Sequence, residues 1–347
     1  MKRALSILVS LLVLSVATAD EGRKAIAEAT TITAPGSYIV TRDFTVDSGD
    51  AIVIAADAVT LDLNGMRVSS TDPAGSLVHV SPGGTALDKG IVIRNGELYG
   101  GGYGILVDSW SVGRMRVEEV EITDTALDGI PIYELDAFEI LDCTLRSSGG
   151  AGIRRTFTSL PTSVASARVR GNVIQDSGDD GIDLYQLNDP IVENNRVINA
   201  GAEGIAVGGD GFVVRDNLVR GTQGVSAPPF VSSGLSVQGQ AGELRGNLVS
   251  EGAGVGILLL NNTAYSLVVE NSVTDNAEEG IDVSGDHVLV ERNVVAANGG
   301  EGIYGRSSSA PLVYRNNMLQ GNGGGPVDGF PGAVDDGGGN ICGGVCP

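Results

Sequence analysis

The stretch DSGDDGID, from Asp176 to Asp183, places four aspartates within eight residues. Carboxylates this dense can divide into a proton donor and a proton acceptor, clamp a cation, or hold a metal. Asp180 and Glu203 each stand immediately before a Gly-Ile pair, and Asp179 lies beside the first. Ca²⁺ takes several oxygen ligands and would suit a set made of Asp179, Asp180 and Glu203. Acidic residues before glycine are also ordinary turn formers, so the metal is one option; no other cofactor is implied. Asp183 is not dictated by a turn. Arg154, in the upstream stretch GIRRT, falls one repeat earlier at the matching place. A cation that near should depress the Asp183 carboxyl, which predicts a base, ligand or clamp rather than a general acid. Asp183, Asp180 and Arg154 are therefore the candidates for catalysis.

These residues are positioned by a repeat. Gly-Ile or Gly-Leu pairs begin at Gly104, Gly129, Gly152, Gly181, Gly204, Gly234, Gly256, Gly280 and Gly302. A second mark lies nine residues before most of these starts, at Asn95, Val120, Cys143, Asn172, Asn195, Asn247, Asn271 and Asn293; Asn217 belongs to the same series. Periods of 20 to 50 residues mean stacked supersecondary units. Short β-branched runs with Gly and Asn at the bends predict three short strands per unit. The fold class is then all-β: a single parallel β-helix of about 10 to 11 coils, stacked about 4.8 Å apart. Asn172, Asn195, Asn217, Asn247, Asn271 and Asn293 should form one inward ladder of amides. Cys143 occupies the same slot and reads as a buried small residue rather than a nucleophile.

Along each first strand, G-I-x-V-x, the apolar residues point inward and each x points outward. The outward set includes Tyr133, Arg154, Asp183, Tyr185, Ser236 and Gln238. Tyrosine faces and planar polar groups suit sugar rings, which makes Tyr133, Tyr185, Ser236 and Gln238 the candidates for substrate contact. Two coils carry extra residues, TSLPTSVAS (158–166) and GVSAPPFVSS (224–233), and both should border this sheet as walls. Four rungs between them span roughly 19 Å, a groove for a polymer. Leu258 and Leu260, also outward in the pattern, predict an apolar docking patch beyond the groove.

The ends read differently. Residues 1–19 carry a basic start, an apolar run and the small-x-small site Ala17-Thr18-Ala19, the pattern of a secretory signal peptide. A mature, secreted protein, periplasmic or extracellular, is expected, with no later membrane span. Residues 20–50 form an N-terminal cap, with EGRKAIAEA as a short capping helix; 51–320 form the solenoid, and the Gly-rich 321–347 cap its other end. Cys342 and Cys346 could close a small local loop as a disulfide. The formal charge of −21 repels nucleic acid and anionic membrane and attracts cations. Nothing in the pattern calls for a second copy, so a monomer is expected.

The Gly-Ile and Asn repeats resemble the right-handed parallel β-helix repeat family, the superfamily of pectate lyases and polygalacturonases, and within it a secreted branch. The likeness runs from about Ala51 to Asn317 and implies the right-handed winding. GDDGID is similar to the paired-Asp segment of polygalacturonases. The neighbouring coils, AGIRRT and AEGIAV, lack that family's Asn-x-Asp, Gly-His-Gly and Arg-x-Lys motifs, and no lysine follows Lys89. The resemblance implies a polysaccharide partner. It leaves two functions open: a hydrolase or lyase working in the groove of the first-strand sheet, or a β-helix that binds glycans or cell-surface partners without turning them over.

Overall fold

The computed structural model describes residues 22–81, 90–156, 166–224, 232–306, 311–343 and 346. Among the described residues 36 strands pair in parallel throughout, each with the strand one coil away. At three strands per coil this makes about 12 coils, rather more than the repeat marks suggested, because coils continue past the marked region at both ends. Strands at Lys24–Ile26 and Thr30–Ile32 start the stack. Strands at Gly325–Gly329, Val334–Asp336 and Ile341–Cys342 close it.

The predicted N-terminal helix is not formed; no helix occurs among the described residues. Lys24–Ile26 instead pairs with Gly36–Val40, and Thr30–Ile32 with Ile52–Ile54. The open end of the core offers unpaired N–H and C=O groups and apolar side chains. A strand satisfies both, and Ile26 and Ile32 are nearly fully buried there. An amphipathic helix would cover the side chains and leave the strand edge unpaired.

The Gly-Ile mark has a steric cause. A Cβ at Gly181 would lie 2.3 Å from Val197 Cγ1 and 2.5 Å from the Gly204 carbonyl oxygen. The first strand can approach the third only over a bare Cα. The following isoleucine is then driven fully inward, as at Ile153, Ile182, Ile205 and Ile257.

The Asn ladder is present and longer than expected. Asn172 Nδ2 donates to Asn195 Oδ1 at 2.9 Å, Asn195 to Asn217 at 3.0 Å and Asn217 to Asn247 at 3.0 Å. The chain of amides continues through Asn271 and Asn293 to Asn317 and Asn340. Cys143 ends it on the other side: its N–H donates to Asn172 Oδ1, and burial pushes its thiol up to about 12. A second ladder, not anticipated, joins Asn276, Asn298 and Asn322 at 3.0 Å per step. Cys342 and Cys346 are disulfide-bonded, with Cα atoms 5.5 Å apart.

Candidate functional site

The register puts the expected groups on one sheet. Arg154 pairs with Asp183, Asp183 with Ala206, and Ala206 with Ser236. Beside this column, Gly208 pairs with Gln238, and the Tyr185 ring lies over Gly208. Tyr133 stands on the strand Ile130–Leu141, upstream in the same sheet. Of the two expected walls, residues 158–165 and 225–231 lie outside the described residues.

The acids before Gly-Ile first do a structural task. Asp128 Oδ1 accepts the Ala151 N–H at 2.7 Å, and Asp180 Oδ1 accepts the Glu203 N–H at 2.9 Å. Each carboxylate thus ties its turn to the next coil. Asp50 does the same for Ser76 at 2.7 Å, and its other oxygen meets His79 Nδ1 at 2.6 Å. His79 stands well upstream of the carboxylate cluster on this sheet.

Arg154 is the hub. Its Nη2 donates to Asp179 at 2.5 Å and to Asp180 at 3.3 Å, its Nη1 to Asp128 at 3.3 Å, and its Nε to Asp183 at 3.2 Å. Burial works against its charge, but the hydrogen bond to Asp179 and the charges of Asp128, Asp179 and Asp183 together raise its pKa. Arg154 therefore keeps its proton and cannot serve as a base.

Asp183 behaves opposite to expectation. Its carboxyl is pushed up to about 7, first by burial and then by the charge of Asp180; Arg154 only partly opposes this. The neighbouring arginine was visible in the sequence, but the desolvation was not. One oxygen, Oδ2, accepts from Arg154, while Oδ1 is buried and meets no partner. Glu203 is likewise pushed up to about 7 by burial and the charge of Asp180, with Ser236 and Ser233 opposing. Its carboxylate accepts from Ser233 Oγ at 3.1 Å. Asp180 is raised by burial.

No group of three or more His, Cys, Asp or Glu among the described residues is arranged to hold a metal. The three carboxylates expected for Ca²⁺, Asp179, Asp180 and Glu203, are not gathered around one point. Asp179 and Asp180 turn onto the guanidinium, and Glu203 turns to Ser233. Ser236 is fully buried and has no surface to offer a substrate. Of the pair expected to form an apolar docking patch, Leu258 is buried and Leu260 is half-buried.

A residue that the sequence analysis did not single out as a site residue shapes the face. Arg155 points inward and is 3% exposed. Its Nη1 donates to the carbonyl oxygens of Tyr185 at 2.6 Å and Gln186 at 2.7 Å. The strand Ile182–Asn188 slips register between Leu184 and Leu187 at this point. Alongside lies a cleft of about 490 Å³ between Tyr185, Gln186, Gly208, Gly209, Asp210, Gln238, Gly239 and Asn262. A hollow of about 620 Å³ on the second sheet, walled by Met115, Phe138 and Ala167, lies away from the displaced carboxyls.

The model for the right-handed β-helix region matches residues 76–228 and 230–338. The chain belongs to the right-handed β-helix family. No curated protein matches this family member significantly in sequence. Among solved structures it is similar to a double mutant of the periplasmic alginate epimerase AlgG, with 16% identity over 89% of this chain and 79% of that one, and a TM-score of 0.66. The tailspike protein of Escherichia coli bacteriophage HK620, solved with a pentasaccharide, is 12% identical over 89% of this chain and 60% of that one, with a TM-score of 0.55. The GH87 α-1,3-glucanase catalytic unit of Streptomyces thermodiastaticus strain HF3-3 is 19% identical over 87% of this chain and 63% of that one, with a TM-score of 0.50. At these identities the likeness is one of fold. No helix among the described residues is long and apolar enough to cross a membrane.

Proposed function

We propose that this β-helix acts on a polysaccharide lying along its first-strand sheet, and that it hydrolyses the glycosidic bond with Asp183 as proton donor. The observation that carries the reading is the Asp183 carboxyl, which holds its proton up to about pH 7 on the outward column of that sheet. A general acid works best when its pKa lies near the operating pH, and burial beside other carboxylates is the usual way to achieve that. Asp183 would give its proton to the glycosidic oxygen as the bond to the anomeric carbon breaks. Water adds to that carbon, and its proton passes to Asp179, the half-exposed carboxylate of the cluster. Arg154 stays charged and holds the acids in place. A lyase reading would need a base to take a carbon-bound proton, and Arg154 is unsuited to that. The named neighbours in fold, an alginate epimerase, a tailspike solved with a pentasaccharide and a glucanase, support a carbohydrate setting. The leader-like residues 1–19 support action outside the cytoplasm.

One observation favours binding without turnover. Arg306 donates to both carboxylate oxygens of the buried Asp282, Nε to Oδ1 at 2.8 Å and Nη2 to Oδ2 at 2.5 Å, on the same sheet, so an Arg–Asp pair is also a packing device here. Release of reducing ends from a polysaccharide panel separates the two. Asp183→Asn should lower turnover by at least about 100-fold, the lower range for a lost acid catalyst. Turnover that survives the substitution refutes the assignment.

A further inference from the structure

The cleft beside Tyr185 says which kind of glycan would fit, given the polysaccharide reading above. Its volume of about 490 Å³ falls in the range of small-ligand sites, about 300–1,000 Å³. It is a built feature. A guanidinium is buried beneath its wall, where Arg155 fixes the Tyr185 and Gln186 carbonyl oxygens. Burying a charge is costly unless hydrogen bonds compensate, and here they hold one bulge in one shape. The floor is bare backbone. A Cβ at Gly208 would lie 2.3 Å from the Tyr185 ring, one at Gly209 would lie 2.1 Å from the Leu187 carbonyl oxygen, and one at Gly239 would lie 2.2 Å from the Gly209 carbonyl oxygen. These three glycines let the Tyr185 ring and the stacked backbones close up at the floor, where a side chain would collide with them.

The polar groups are of one kind. Gln186, Gln238 and Asn262 bring amides that both donate and accept, and Asp210 brings a carboxylate. Asp210 Oδ1 accepts the Gln240 N–H at 2.8 Å, which fixes its orientation. Among the described residues no Lys, Arg or His lines the cleft. The nearby Arg154 is bonded to four aspartates. Asp183 and Glu203 add further negative charge as pH rises, on a chain of formal charge −21. A carboxylate-bearing sugar would meet like charge and no cation. A ring that carries only hydroxyls finds amides, a carboxylate acceptor and a tyrosine wall.

We propose that this cleft is a subsite for an uncharged sugar unit and that it rejects uronates, with Asp210 as the residue that sets the rejection. The test is calorimetric titration of the full chain with gluco-, manno- and xylo-hexaoses and with a mannuronate hexamer, at physiological ionic strength with EDTA. At least one neutral hexamer should bind, about tenfold or more tighter than the mannuronate hexamer. Tyr185→Ala and Gln238→Ala should each weaken that binding by about tenfold, and Asp210→Asn should narrow the gap between neutral and charged hexamers. Gln238→Ala changes an outward side chain, so it decides the matter should Tyr185→Ala fail to fold. Equal or tighter binding of the mannuronate hexamer overturns the inference and leaves the polysaccharide reading standing. So does neutral binding that is untouched by Gln238→Ala. If no hexamer binds, both fall.

Discussion

Asp183 and Glu203 hold protons at a pH where ordinary carboxyls have lost them, and the cause is burial rather than any single neighbour. An asparagine at 183 keeps the shape and removes the titration. Above pH 7 the wild-type carboxylate is ionised in a desolvated place beside Asp180, which costs stability. Asp183→Asn should therefore melt at an equal or higher temperature than wild type at pH 8, and nearly the same at pH 5, while turnover is lost at both. A variant that melts lower at pH 8 would show that the bond to Arg154 outweighs the cost of burial. The sequence revealed that Arg154 and Asp183 would sit one rung apart, because both follow the same repeat mark. It could not reveal the sign of the Asp183 shift, since desolvation depends on what Tyr185 and the adjoining coils cover. The same limit hid the full burial of Ser236, which alternation alone placed on the surface.

At the scale of elements, repeats were legible wherever one residue type met one steric demand. Gly181 and its counterparts mark the place where two strands approach too closely for a Cβ. The asparagines mark a bend where one amide can bridge coils. The second ladder was also there to be read: Asn276, Asn298 and Asn322 recur at coil spacing, but three members fall short of a conspicuous series. The N-terminal helix was misjudged because EGRKAIAEA has helical composition, whereas the open strand edge above the core decides its conformation. Within the first ladder each amide both donates and accepts, and Asn217 stands mid-stack between Asn195 and Asn247. Asn217→Leu should cost about 1–3 kcal/mol, the usual loss when buried polar partners are left unpaired. Asn340→Leu, at the end of the column, should cost less, because it strands a partner on one side only. Equal melting shifts for the two would count against a cooperative ladder.

At the scale of the whole molecule, charge and pH act together. Asp183 and Glu203 have folded pKa values near 7, raised from 3.8 and 4.5. A carboxyl raised on folding binds its proton more tightly in the native state. Its contribution is fully present below its unfolded pKa and is lost as pH climbs through its folded value. These two groups, with Asp180 and Asp282 shifted the same way by burial, should make stability fall between about pH 4 and pH 7. Glu193, Glu270 and Glu291 run the other way. Arginine partners hold them below the ordinary range despite some desolvation, so their contribution is lost only as the solution becomes more acidic than about pH 4. The optimum therefore lies near pH 5, on the acid side of neutrality. Repulsion within a chain of formal charge −21 adds to the loss at high pH, and salt screens exposed charges over about 10 Å at 0.1 M. Thermal melts should show a higher midpoint at pH 5 than at pH 8. Added NaCl should raise the pH 8 midpoint more than the pH 5 midpoint, without removing the gap, because desolvation at Asp183 and Glu203 is beyond the reach of screening. A gap that vanishes in high salt would assign the whole effect to surface repulsion and remove the buried carboxyls from the account. A midpoint that rises from pH 5 to pH 8 would contradict the titration of Asp183 on which the hydrolytic reading stands.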